Sequence, residues 1–170
     1  MPVLMDLPEN ATQEPVRKSI RVRANAVRAF KVFTEGLDSW WPKTHHIGSS
    51  AMTRAVMEGR LGGRCYSEQV DGTECDWGRI TVWEPPSRFV MAWLIRLDGA
   101  AWLPELDPAV CSEVEVIFTP QPDGSTLVEL EHRNFERMLA GGAMMRASVN
   151  QEGGWGGLML LFQKEVEQEA

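Results

Sequence analysis

The sequence predicts an α+β fold in which a curved antiparallel sheet of about seven strands grips a long C-terminal helix. Short runs of alternating apolar and polar residues recur from Val16 to Arg133, separated by turn dipeptides. One helical period interrupts them early, and the chain ends on apolar residues at helical spacing. Strands in sequence joined by turns make an antiparallel meander, and a single sheet of that size must bury its apolar face under a second layer. The terminal helix supplies that layer, and the gap between a curved sheet and one helix is a natural ligand cavity.

Taken in order, residues 1–14 carry two prolines, acids and small polar residues and read as a loosely held arm, leaving 15–170 as a single domain. In "EPVRKSIRVRA", Val16, Ile20 and Val22 share one strand face, while Arg17, Arg21 and Arg23 give the other a wet cationic surface. Asn25 caps a helix that Gly36 ends, with Phe30, Phe33 and Leu37 facing the core. "LDSWWP" forms a short helical turn or tight corner, because Pro42 pushes Trp41 toward an extended conformation. "MTRAVMEG" and "RCYSEQ" are strands, the latter running into a hairpin turn at Asp71-Gly72. "CDWGRITVWE" follows, and after the turn at "PPS" the whole of "RFVMAWLIRL" pairs back as one strand. A long loop, "DGAAWLPELDPAV", leads to "CSEVEVIFTP", with Val114, Val116 and Phe118 on one face. In "TLVELEHR", Val128, Leu130 and His132 point inward. Ser148 and Gln151 have the spacing of a capping box ahead of a helix spanning "NQEGGWGGLMLLFQKEVEQEA", whose buried stripe is Trp155, Leu158, Met159, Phe162 and Val166.

Composition narrows the function. Hydrophobic residues make up 44% and charged residues 24%, as in ordinary globular chains, and the formal charge of −7 argues against a nucleic-acid partner. No run is long and apolar enough to span a membrane, and the N-terminus lacks the basic and apolar regions of a signal peptide. Three cysteines at wide spacing, with no C-x-x-C, point to a reducing, cytoplasmic setting rather than a disulfide framework. Seven tryptophans and nine methionines exceed what packing alone usually requires and suit an adaptable apolar cavity. Signatures such as G-x-S-x-G, the P-loop, G-x-G-x-x-G and H-E-x-x-H are absent. His45 and His46, as neighbours in an extended segment, point in opposite directions and make no metal pair. No metal or cofactor is expected.

"GGRCY", "DGTECDWGRI", "WEPPSRFVMAW", a strand ending in "LEH", "WWPKTHHIG" and the terminal "GW…L…F" occur in one order along the chain. In that order they resemble the Hsp90-ATPase-activator-homologue-like branch (AHSA1-like) of the START/Bet v 1-like (SRPBCC) superfamily, over roughly residues 15–166. The resemblance implies a helix-grip fold, with a seven-stranded antiparallel sheet around a long C-terminal helix and two short helices near the N-terminus. Its functions range over lipid carriers, hormone receptors and polyketide cyclases, so the fold alone does not select one. The eukaryotic co-chaperone engages Hsp90 through a separate N-terminal domain where this chain has a short arm, which weighs against an Hsp90-type partner.

The expected function is therefore binding of a small hydrophobic molecule between sheet and helix, with no enzymatic step required. The expected ligand-binding residues are Trp41, His45, Trp77, Met91, Trp93, Phe118, His132, Trp155 and Met159. His132, in phase with Val128 and Leu130, reads either as a core histidine held by a hydrogen bond or as a polar anchor for the ligand. Trp77 and Trp83 share a face only if no bulge intervenes, and Ile80 and Val82 compete with them for it. Tyr66 is expected to face solvent, and Trp102 to serve as a lid or a homodimer contact. Glycines 153, 154, 156 and 157 suggest either a mobile helix start or a helix that approaches the sheet or a ligand closely; a mobile start would gate the cavity, so that alanine at Gly154 and Gly156 would slow ligand exchange. Met159→Trp would fill the cavity. A cyclase- or hydrolase-like enzyme acting through His132 is the alternative in the same cavity, and chaperone association is the alternative outside it.

Overall fold

A computed structural model describes residues 13–99 and 101–168, so most of the expected 1–14 arm lies outside the described residues. The principal sheet has seven strands, all neighbours antiparallel: β1 (Val16–Val22), β2 (Met52–Met57), β3 (Arg64–Gln69), β4 (Glu74–Glu84), β5 (Arg88–Trp93), β8 (Ser112–Pro120) and β9 (Thr126–Arg133). Their spatial order is β1-β9-β8-β5-β4-β3-β2. Between β5 and β8 a separate two-stranded ribbon is formed by β6 (Ile95–Asp98) and β7 (Ala101–Pro104). The helices are α1 (Ala26–Phe33), α2 (Gly142–Asn150) and α3 (Trp155–Glu167).

Local chemistry sets the boundaries. Asn25 Oδ1 accepts from the Arg28 N–H and starts α1, which buries Phe30 and Phe33. The "LDSWWP" corner is a single 3-10 turn at Leu37–Ser39, and with α1 it makes the two short helices near the N-terminus. In α3 the buried stripe is the expected Trp155, Leu158, Met159, Phe162 and Val166. It packs into one core with the inner faces of the strands. The outer face alternates acids and arginines: Glu115 lies between Arg88 at 2.6 Å and Arg133 at 2.8 Å, and Arg17 pairs with Glu131 at 2.9 Å.

Four local expectations are corrected. "RFVMAWLIRL" is two strands, because the β5–β8 ladder ends at Trp93↔Ser112 and β4 pairs with β5 only as far as Gly78↔Trp93. Residues beyond Leu94 have no neighbour in the main sheet and pair instead with 101–104, inside the expected loop. Ser148 caps nothing: it lies within α2, which sequence periodicity did not disclose, and the cap position of α3 is Gly154. The terminal helix consequently begins at Trp155, after a turn closed by Gly154 N–H to the Gln151 carbonyl at 2.7 Å. Tyr66 does not face solvent, since the Arg64 guanidinium lies 4.1 Å above its ring and covers it.

β4 resolves the competition among its inward residues. Its pairing with β3 shifts at Cys65/Tyr66 and its pairing with β5 shifts at Ile80/Val82. Each bulge reverses the in-out alternation once. Trp77, Ile80 and Trp83 therefore all reach the core, although strict alternation would place Ile80 opposite the two tryptophans.

Candidate ligand cavity

One end of the grip is open. A cavity of about 460 Å³ lies among the 41–47 segment, the ends of β4 and β5, the β6–β7 ribbon, the end of α2 and the start of α3. Five of the seven tryptophans line it (Trp41, Trp77, Trp93, Trp102 and Trp155), so this one site accounts for most of the unusual tryptophan content. Each arrives by a different route. Trp41 follows the 3-10 turn and donates its indole N–H to the His45 carbonyl at 2.8 Å. Trp77 stands at the first bulge of β4, Trp93 at the last position of β5, and Trp102 on the ribbon. Trp155 opens α3.

Four of these rings close on one another. Trp41 stacks on Trp77 with centroids 5.3 Å apart and planes 11° from parallel. Trp77 meets Trp93 edge-on at 5.8 Å, Trp93 meets Trp155 at 5.6 Å, and Trp155 returns to Trp41 at 6.1 Å. Stacked and edge-to-face contacts of this kind hold large rings in fixed orientations. The wall they form is rigid and apolar.

The polar groups are few. His45 Nε2 lies 2.9 Å from the Gly153 carbonyl, which can only accept, so Nε2 carries the proton and ties the tryptophan loop to the turn before α3. His46, Thr44, Ser148 and Gln151 also contribute to the lining. Among the described residues, none in the lining is Asp, Glu, Lys or Arg. The described lining therefore presents no carboxylate, ammonium or guanidinium to a ligand, and its ionisable side chains are His45 and His46.

His132 stands behind this wall. It is fully buried on β9, its ring stacked on Phe135 at 4.7 Å. Trp155 Nε1–H donates to its Nδ1 at 3.0 Å, and Ser112 Oγ lies 2.8 Å from its Nε2. An indole N–H can only donate, so Nδ1 is unprotonated and Nε2–H points at Ser112. Burial lowers the imidazole pKa to about 3, which keeps the ring neutral. His132 thereby orients Trp155 and makes no approach to the cavity itself.

Of the residues expected to contact a ligand, Trp41, His45, Trp77, Trp93 and Trp155 line the cavity, and Met91, Phe118, His132 and Met159 do not. Met91 lies under Cys65, whose thiol reaches its sulfur at 3.9 Å. Phe118 packs with Phe30 and Phe33, and Met159 belongs to the closed core. Facing inward was the correct inference for all four, but their part of the interior is filled. Sequence reasoning missed His46, Ile47, Ile95, Leu158 and the α2 residues Ser148 and Val149. Leu158 sat in the recognised helical stripe. The α2 residues could not be found without that helix, whose segment mixes glycine, alanine and methionine with no clear stripe.

Other chemistry finds little support. Burial raises the Cys65 thiol pKa far above its usual value and that of Cys111 to about 11, so neither is an activated nucleophile. Among the described residues no group of three His, Cys, Asp or Glu side chains is placed to hold a metal ion. No described helix is long and apolar enough to cross a membrane.

A search of curated proteins returned no match. Among solved structures, an anthrahydroquino-γ-pyrone synthase, Txn09, is 35% identical, with a TM-score of 0.61 over 90% of this chain and 97% of that one. The self-sacrificing resistance protein CalC from Micromonospora echinospora is 28% identical, with a TM-score of 0.64 over 94% and 97% of the two chains. The Aha1 dimer from Colwellia psychrerythraea shares the fold at 14% identity, with a TM-score of 0.59 over 92% and 99%. These neighbours have the helix-grip architecture of the START/Bet v 1-like superfamily, as this chain does. The model of the "Activator of Hsp90 ATPase homolog 1-like protein" family matches residues 23–165, and the chain belongs to that family.

Proposed function

We propose that this protein binds a small, neutral, largely aromatic molecule in the tryptophan-lined cavity. The observation that carries this reading is the lining itself: five indoles, a few hydrogen-bonding groups and, among the described residues, no Asp, Glu, Lys or Arg around about 460 Å³. Small-molecule sites have this composition and this size, apolar walls with a few placed polar groups. A ligand here exchanges water contact for flat aromatic surface without desolvating a protein charge. The free cysteines agree with a cytoplasmic location.

Native mass spectrometry of the freshly purified protein tests the reading. We expect a defined small-molecule adduct on the wild type and its loss from Ser148→Trp, which fills the lining from α2. A folded Ser148→Trp variant that retains the adduct removes the cavity as its site.

Catalysis in the same cavity is the second reading, favoured by the 35% identity to a synthase over nearly the whole chain. His132 does not fit it as acid or base, because it lies behind Trp155 and is held neutral. His45 and His46 are the imidazoles at the cavity. Turnover of the recovered ligand that collapses in His46→Phe while binding persists would establish an enzyme. Stimulation of a purified bacterial Hsp90 ATPase would redirect the assignment toward the activity in the family's name.

A further inference from the structure

Exposure locates the mouth of the cavity. Of the described lining residues, those that also face solvent are Thr44, His45, Gln151 and Gly153, while the tryptophans behind them are buried or half-buried. The four fall on two segments, a strap at 42–46 and the turn at 151–154 that leads into α3. The strap is fixed at both ends: Trp41 is stacked on Trp77, and the Ile47 carbonyl accepts from Gln69 Nε2 at 3.3 Å. Between its ends the strap closes on itself, with the His45 N–H donating to the Pro42 carbonyl at 3.0 Å and the His45 carbonyl accepting from Trp41. Across the mouth stands Gly153, where a Cβ would meet nothing within 4 Å, so nothing packs against that side of its backbone. Among the described residues one hydrogen bond joins the two segments, His45 Nε2–H to the Gly153 carbonyl at 2.9 Å. Thr44 Oγ1, 3.3 Å from His45 Nδ1, can donate to it and so favours the tautomer with its proton on Nε2.

Resting on the reading of the cavity as a ligand site, we infer that the ligand enters and leaves between this strap and the 151–154 turn, and that the His45–Gly153 hydrogen bond is the latch that times its passage. The wall of Trp41, Trp77, Trp93 and Trp155 is closed by contacts between successive rings, so opening there would break several of them at once. The mouth is spanned instead by one exposed bond from a side chain to a glycine carbonyl, and such a bond opens locally without disturbing the core. Its net worth in water is small, so it slows passage without preventing it. His45 is thus a gating residue, set at the rim to control rate, while the tryptophans supply contact area. The latch closes the empty and the filled cavity alike, so loosening it should speed entry and exit together. A side chain that only touched the ligand would change exit alone.

N-phenyl-1-naphthylamine, a neutral fluorescent aromatic, tests this by stopped flow with the full-length protein. His45→Leu removes the donor and should raise both the association and the dissociation rate constants of the probe about fivefold. His45 is exposed, and His45→Ala serves should the leucine variant not fold. His45→Gln, whose side-chain amide can donate from near the position of Nε2, should return both rate constants to within about twofold of the wild type. Unchanged rates in His45→Leu, or equal acceleration in His45→Leu and His45→Gln, overturn the latch and leave the cavity standing. Faster dissociation with association unchanged overturns it too, and makes His45 a ligand contact. Ser148→Trp is the control on the site: probe binding that survives there, or no probe binding to the wild type, removes the cavity reading and the inference with it.

Discussion

The two ends of the grip are both aromatic, yet one is filled and the other is hollow. At the filled end Phe30, Phe33, Phe89, Phe118 and Phe162 interlock, with Phe33–Phe162 at 4.9 Å and Phe30–Phe118 at 5.1 Å. At the hollow end Trp41, Trp77, Trp93 and Trp155 close a ring of contacts beside about 460 Å³ of space. Phenylalanine has no polar atom to satisfy, so it can be packed from every side. Each indole carries a donor: Trp41 gives its N–H to the His45 carbonyl and Trp155 to His132, while the Trp93 N–H has no partner among the described residues. The filled end is built mainly of phenylalanines, with Trp40 and Trp83 packed at its margin, and the hollow end is walled by indoles.

The largest expected effect breaks the filled end. Phe118→Ala removes a ring that is 1% exposed and touches Phe30 and Phe33. Urea unfolding should show a loss of about 3–5 kcal/mol. Trp102→Ala, on the half-buried ribbon at the hollow end, should cost less than about 1 kcal/mol and yet weaken binding of an aromatic probe. Comparable stability losses in the two variants would erase the distinction between the ends.

Met159→Trp belongs to the filled end too. It was expected to plug the cavity, but Met159 does not line it and is 3% exposed in the closed core. The substitution should destabilise by about 1–3 kcal/mol through overpacking. Ser148→Trp, at the hollow end, should abolish binding at a smaller cost in stability.

His132 sharpens the comparison through pH. Its folded pKa is about 3, against 6.5 for the free side chain. Below about pH 6.5 the unfolded chain takes up a proton that the folded protein refuses, so stability falls as pH falls. The slope from this group approaches about 1.4 kcal/mol per pH unit and vanishes below about pH 3. Above pH 7 the group contributes no slope. Denaturation curves at pH 7, 6, 5 and 4 should show this component in the wild type and not in His132→Gln. Identical pH profiles would mean that the imidazole is not held neutral behind Trp155.

Much of this was legible in the sequence. Alternation placed Val128, Leu130 and His132 inward and gave the order of the main strands, because period-2 patterns survive any tertiary context that keeps one face wet. The α3 stripe was legible for the same reason at period 3.6. What alternation cannot say is whether an inward residue meets a filled or an empty part of the interior, and so Met91, Phe118 and Met159 were grouped with Trp41 and Trp93. Nor can it register a bulge, which decided the fate of Trp77 and Ile80. The β6–β7 ribbon was illegible because its pairing depends on where neighbouring ladders run out.

The smallest effects lie at the glycines before and within α3, which the sequence presents as one group and the structure divides. A Cβ on Gly154 would stand 2.1 Å from the Val149 carbonyl oxygen, so Gly154→Ala must push the turn away from α2. A Cβ on Gly156 would meet nothing within 4 Å, and Gly156 is already helical. Gly156→Ala should therefore stabilise by up to about 1 kcal/mol, from helix propensity alone. The double alanine variant mixes a packing clash with a propensity gain, so it cannot isolate gating. Gly156→Ala alone can. A mobile first turn of α3 that admits ligand predicts slower ligand exchange in this variant together with the raised midpoint. A raised midpoint with unchanged exchange would place the entry route elsewhere along the hollow end.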